Sequence, residues 1–176
     1  MSTFRNDPLL GIAKALLTFT MAMFVIGIVS LGIGAAVMLS MKSAVVAKLV
    51  ENGAPTEAFW GILLLMPLVA GMLMLCYRFA EKLRAIVRTV ELGDPFTPDN
   101  AGRLRGMAWL ALAIQLASLP IGAVAMWIEN ATEKMGSMEV TADISANGLL
   151  LVLVLFILAR VFKTGAQMRD DLEGTV

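Results

Sequence analysis

Four stretches of this chain carry no charged residue over a length that could cross a lipid bilayer, and that pattern constrains the fold more than anything else in the sequence. About 20 mostly apolar helical residues span the roughly 30 Å hydrocarbon layer, and backbone polar groups cannot be left unpaired in lipid. The stretches are Ala15 to Met41, Ala58 to Tyr77, Gly106 to Ile128 and, the shortest, Ile144 to Ala159. Snorkelling of Arg160 lets Val161 and Phe162 complete the fourth crossing. The first stretch exceeds the span needed, so it must tilt or protrude, and it is too long for the apolar part of a cleaved signal peptide. The second and third contain Pro67 and Pro120, which membrane helices tolerate where neighbouring helices satisfy the freed backbone. The expectation is an all-α integral membrane protein, one four-span domain over residues 1–176. Its spans lie near 15–41, 58–77, 106–128 and 144–162, and its cytoplasmic loop (78–105) and tail (163–176) add short amphipathic helices.

Orientation follows from lysine and arginine, which accumulate on the cytoplasmic side of membrane proteins. Arg5 and Lys14 precede the first span; Arg78, Lys82, Arg84, Arg88, Arg103 and Arg105 lie between the second and third; Arg160, Lys163 and Arg169 follow the fourth. The opposite side has only Lys42, Lys48 and Lys134. Both termini and the central loop are therefore expected in the cytoplasm. The outer loops, Lys42 to Glu57 and Glu129 to Asp143, are too short to be folded domains. The second carries Glu129, Glu133, Glu139 and Asp143 against Lys134.

Composition narrows the chemistry. The formal net charge is zero, so no whole-chain field draws nucleic acid or acidic partners. Cys76 is the sole cysteine and histidine is absent, which excludes an intrachain disulfide, a multi-thiolate zinc site and the commonest general base. No ionisable residue lies inside the first three spans, where a membrane enzyme would keep its catalytic groups. Asp94 and Asp99 flank a turn, and turn chemistry accounts for both. Met66, Met72, Met74 and Cys76 offer soft metal ligands, with Met135 and Met138 outside. A spacing of two scatters Met72, Met74 and Cys76 around a helix, so packing is the better reading. No enzyme, cofactor or metal is expected.

The cytoplasmic side holds more pattern. Phe79, Leu83, Ile86, Val87 and Val90 form one helical stripe, so the second span's helix is expected to continue out of the membrane. Gly93, Asp94 and Pro95 end it; Thr97 then reads as an N-cap and Pro98 as the first residue of a helix running into the third span. In the tail, Val161, Gly165, Met168 and Leu172 are spaced for one face, and Arg169 and Glu173 for an i, i+4 pair. A tail helix is expected to lie against the central loop.

The run Gly93-Asp94-Pro95-Phe96-Thr97-Pro98-Asp99-Asn100-Ala101, with Arg103-Leu104-Arg105 after it, resembles the loop signature of a bacterial membrane family catalogued as domain of unknown function 2975. The tail from Phe162 through Lys163, Gly165-Ala166 and the charged stretch to Thr175-Val176 resembles the same family, with Gly174 standing where longer polar residues are usual. The resemblance covers nearly the whole chain and implies a bacterial inner membrane, but no established activity. Members are often encoded beside small helix-turn-helix regulators, which implies a cytoplasmic DNA-binding partner. The residues of the two motifs that would meet a partner are Phe96, Asn100, Arg103, Phe162 and Gly165.

Other readings are weaker. A small solute transporter or efflux component needs a polar path, and Thr18, Thr20, Ser30, Gln115 and Ser118 line a thin one. Gln115 stands out, and an interhelical hydrogen bond explains it. Ser30-x-x-x-Gly34, Gly32-x-x-x-Ala36, Ala113-x-x-x-Ala117 and Ser118-x-x-x-Gly122 read as seams of close helix approach, within one chain or between copies of a homo-oligomer. Asn130-Ala131-Thr132 matches a glycosylation acceptor, a pattern common by chance. Lipid headgroups could meet the basic central loop, although topology alone predicts its charges and Glu81, Glu91, Asp94 and Asp99 dilute them. The sequence thus reads as a membrane-embedded binding or regulatory protein working through its cytoplasmic loop and tail, with transport as the alternative.

Overall fold

The computed structural model describes residues 8–131 and 144–173, with only the backbone of Asp170, Leu172 and Glu173. Arg5, Glu133, Lys134, Met135, Met138, Glu139, Asp143, the Thr132 of the glycosylation tripeptide and Gly174 to Val176 lie outside the described residues. The elements are all helices: α1 (Pro8–Ser40), α2 (Lys42–Glu51), α3 (Ala58–Glu91), α4 (Pro98–Ala131) and α5 (Ala146–Glu173). Four of them, all but α2, are long and apolar enough to cross a membrane. The chain is a multi-pass membrane protein.

Each long helix outruns its apolar stretch. α3 has 34 residues, about 51 Å at 1.5 Å per residue, of which the charge-free part to Tyr77 is about 30 Å. The remainder projects beyond, as the stripe from Phe79 to Val90 predicts. The expected amphipathic helices of loop and tail are thus extensions of α3, α4 and α5 rather than separate pieces. α3 and α4 run unbroken through Pro67 and Pro120. Helix α2 is an addition to the sequence reading, which left residues 42–57 as a connector. Its signal was Val45, Val46 and Leu49 on one side, Lys48 and Glu51 on another, and a stop at Asn52-Gly53. Gly53 takes φ +81°, and the amides of Gly53 and Ala54 close the helix on the carbonyls of Val50 and Leu49.

The helices stand in a row rather than a closed bundle. α1 packs on α3, α3 on α4 and α4 on α5, while α1 does not reach α4 or α5 among the described residues. Register is set by glycines where side chains come close. A Cβ on Gly61 would lie 2.5 Å from the Trp127 ring of α4, and one on Gly27 would lie 3.0 Å from Leu73 of α3. Of the expected small-residue seams, Gly34 faces Met66 across α1 and α3 and Gly122 is buried, but Gly32 has no neighbour at its Cβ position and Ala36 is exposed. Gly32 instead borders an open groove between α1 and α3, across from Met66 and Pro67.

Helix α5 is offset along α4. Its first turn meets Gln115, near the middle of α4's charge-free stretch, and Phe156 packs edge-to-face on Trp109 with ring centroids 5.6 Å apart. α4 therefore extends about 24 Å past the start of α5 on one side. On the other side α5 runs beyond the first turn of α4 to the loop that precedes it. The main cluster of buried residues follows this overlap: Ile86 of α3, Leu104, Met107, Ala108 and Ala111 of α4, and Val152, Leu155 and Ala159 of α5. It lies toward the basic end, where the N-terminus of α1, the loop between α3 and α4, and the C-terminus of α5 come together.

Candidate functional site

The loop of residues 92–97 at the basic end is held from three directions. Gly93, at φ +82°, permits the left-handed turn that ends α3, and the amides of Gly93 and Asp94 bond the carbonyls of Val90 and Thr89. These are the two bonds of a Schellman motif, which satisfy carbonyls the helix end would otherwise leave free. Thr97 then caps α4: its Oγ1 accepts from the Asn100 amide at 3.3 Å. Both ends were legible as Gly-Asp-Pro and Thr-Pro.

Asn100 locks the loop from within. It is the one buried polar side chain among the described residues, with no exposed area. Its Nδ2 donates to Thr89 Oγ1 at 2.6 Å and to the Pro95 carbonyl at 2.8 Å, and its Oδ1 accepts from Arg103 Nη1 at 2.7 Å. Thr89 passes the chain on by donating to the Ile86 carbonyl at 2.7 Å. One amide thus ties the end of α3, the loop and the second turn of α4. Arg103 reaches Asp99 as well, at 3.9 Å. Thr89 was absent from the sequence reading, because a threonine near a helix end has no signature marking which amide it will serve.

The tail closes over the loop. The Phe96 ring lies on Phe162 of α5, centroids 5.1 Å apart, and against Gly165, where an added Cβ would come 3.0 Å from the ring. Ala166 is buried beneath. Arg169 donates to the loop carboxylate of Asp94, while the side chain of Glu173, its expected i, i+4 partner, lies outside the described ones. The inward face of the tail is therefore Phe162, Gly165, Ala166 and Arg169. Val161 and Met168, expected beside Gly165, are 53% and 62% exposed. The helical period was right and its phase was off by about one position, because small Ala166 rather than bulky Met168 fits against α4.

All five residues singled out in the sequence meet at this end, in two linked groups. Phe96, Phe162 and Gly165 form an aromatic clasp, and Asn100 and Arg103 form the buried bracket behind it. Leu92 at 74% and Phe96 at 43% exposure leave apolar surface at the loop itself. Across the row, Lys14 of α1 bonds Glu91 of α3 at 2.8 Å, tying α1 to the same end. A groove of about 610 Å³ opens there, lined by Arg84, Arg88 and Arg103 along with Glu81 and Glu91.

Gln115 has a structural occupation. Its Oε1 accepts from the Ser145 amide at 3.2 Å. Ser145 is the residue whose carbonyl takes the first helical bond of α5, from Leu149 at 3.1 Å. Gln115 therefore does from α4 what the third-residue glutamine of a capping box does from within a helix. The methionines and thiol of α3 do not converge: Met66 packs on Gly34, Met74 is exposed, and Cys76 is partly buried. At the opposite end, Lys42 lies 4.7 Å from the Trp60 ring centroid.

The family model described as protein of unknown function (DUF2975) matches residues 47–176 of the chain. That range takes in the loop, the clasp and the tail. No curated protein and no solved structure matches the chain.

Proposed function

We propose that this chain, which belongs to the DUF2975 family, is a non-enzymatic protein of a bacterial inner membrane whose basic end faces the cytoplasm and docks a protein partner. The partner that fits best is a helix-turn-helix regulator held at the membrane, in keeping with the genes expected beside this family. The observation that carries the reading is Phe96. A large apolar ring stays 43% exposed while a fully buried asparagine, a Schellman turn, a helix cap and an ion pair fix the loop that bears it. Exposed aromatic surface on a preorganised support is what a protein interface uses, because a rigid anchor loses little entropy on binding. Positive-inside topology supports the orientation. Transport is less well supported, since the bulkiest polar side chain in the spans, Gln115, already serves the start of α5.

The test is photocrosslinking from Leu92 and from Phe96 in native membranes, with a Phe96→Ala chain compared by co-purification. Docking predicts capture of a DNA-binding protein from both positions and at least a tenfold loss of co-purification in the variant. Capture of lipid or of the chain itself alone would sink the proposal.

A further inference from the structure

We infer that the groove between the basic ends of α4 and α5 is a binding site for the phosphate headgroup of one anionic phospholipid. This groove holds about 520 Å³ and is distinct from the Phe96 clasp. Arg105 of α4 and Arg160 and Lys163 of α5 line it, and no acidic side chain does so among the described residues. The ion pairs of this end use other cations, Lys14, Arg78, Arg103 and Arg169, so the three groove cations have no carboxylate partner among the described residues. Three like charges converging without a counter-ion repel one another, and an anion placed among them removes that cost.

The rest of the groove says which anion. Its floor is apolar, formed by Phe156, Ala159 and Ala166, so a small hydrated phosphate would leave it uncovered. One turn toward the apolar layer from Arg105 stands Trp109, 56% exposed and packed edge-to-face on Phe156. Trp at this depth is the side chain favoured at a membrane-water boundary. Cations in the groove, an indole packed on its Phe156 wall one turn nearer the apolar layer, and the charge-free stretches of α4 and α5 beyond reproduce the order of a phospholipid: headgroup, glycerol region, acyl chain. Arg160 ends the last apolar stretch of the chain, which puts the cations at headgroup level. Arginine also supplies the planar, bidentate donors that suit a phosphate.

The inference does not rest on the docking reading and is tested apart from it. The full chain is purified in mild detergent and titrated with short-chain phosphatidylglycerol, with phosphatidylcholine and with inorganic phosphate, and bound adducts are counted by native mass spectrometry. The site predicts one tightly retained phosphatidylglycerol, little phosphatidylcholine, and no displacement by millimolar phosphate. Each neutralised cation should cost about fivefold in affinity, so R105Q/R160Q/K163Q should lose on the order of a hundredfold. The R84Q/R88Q chain removes charge from the same end outside the groove and should bind as the parent does. R105K/R160K, which keeps the charge but loses the bidentate donors, should bind more weakly than the parent and more tightly than the triple variant. Equal losses in R84Q/R88Q and the triple variant, equal retention of the two lipids, or displacement by free phosphate would each overturn the assignment.

Discussion

Replacing Asn100 with alanine tests whether the loop is held by one amide. The structure gives that side chain three hydrogen bonds, at 2.6 Å to Thr89, 2.8 Å to the Pro95 carbonyl and 2.7 Å from Arg103, with no exposed area. Two neutral bonds contribute about 1 kcal/mol each and the charge-assisted one about 2 kcal/mol. Arg103 is partly exposed and regains water when its partner leaves, so the expected loss is about 3 kcal/mol. Because the bonds converge on the loop, the loss should appear as local opening. Amide exchange at Gly93, Asp94 and Asn100 should accelerate by roughly a hundredfold, at about 1.4 kcal/mol per decade, while amides of α3 before Tyr77 stay as they were. Thr89→Val removes one of the three partners and should cost about 1 kcal/mol; in the double variant that cost should largely vanish, since the two residues share a bond. Exchange at the loop unchanged within threefold in Asn100→Ala, or additive effects in the double variant, would refute the account of the bracket.

Other substitutions probe the remaining joints. Gly148→Ala places a Cβ 1.6 Å from Gln115 Nε2 and should lower thermal stability by about 1 to 3 kcal/mol, with recovery when Gln115 is shortened to alanine in the same chain; no recovery would argue against the contact. Gln115→Leu alone should cost about 1 kcal/mol by leaving the Ser145 amide without its acceptor, measured by thermal unfolding in detergent. Gly61→Val drives a side chain into Trp127, 2.5 Å from an added Cβ, and should change the tryptophan emission as α3 and α4 separate. Arg169→Gln breaks an ion pair between half-exposed side chains and should change overall stability by less than about 1 kcal/mol in thermal unfolding.

What was legible depended on which solvent a residue meets. Four spans, the extension of α3 past Tyr77, the stop at Gly93 and the start at Thr97 could be read because lipid demands charge-free length and helix ends demand particular side chains. The five residues of the two basic-end motifs could be picked out, and the structure gathers them. Their division of labour could not. Asn100 turns out to be wholly inside and Phe96 partly outside, a difference of tertiary packing that no spacing encodes. The tail's inward face was missed by about one position, since the choice between Ala166 and Met168 was made by the space beside α4. Helix α2 was missed because a ten-residue amphipathic piece between two spans resembles a connector.

The short fourth stretch has a role that follows from these differences. In hydrocarbon, apolar side chains gain nothing by leaving lipid for one another, so helices there meet through close fits such as Gly61 on Trp127. Past Tyr77 water returns, and burial of Ile86 and Leu104 regains its drive. A helix that started level with the outer end of α4 and had the length of α5 would stop short of the loop and leave that region without a third wall. Starting instead beside Gln115, α5 carries Phe162, Gly165 and Arg169 far enough to close on Phe96 and Asp94. The start then falls beside the middle of α4's apolar stretch, where its polar backbone has no water to turn to, and Gln115 answers that need. The polar residue in the spans and the order of the basic end are two consequences of one offset.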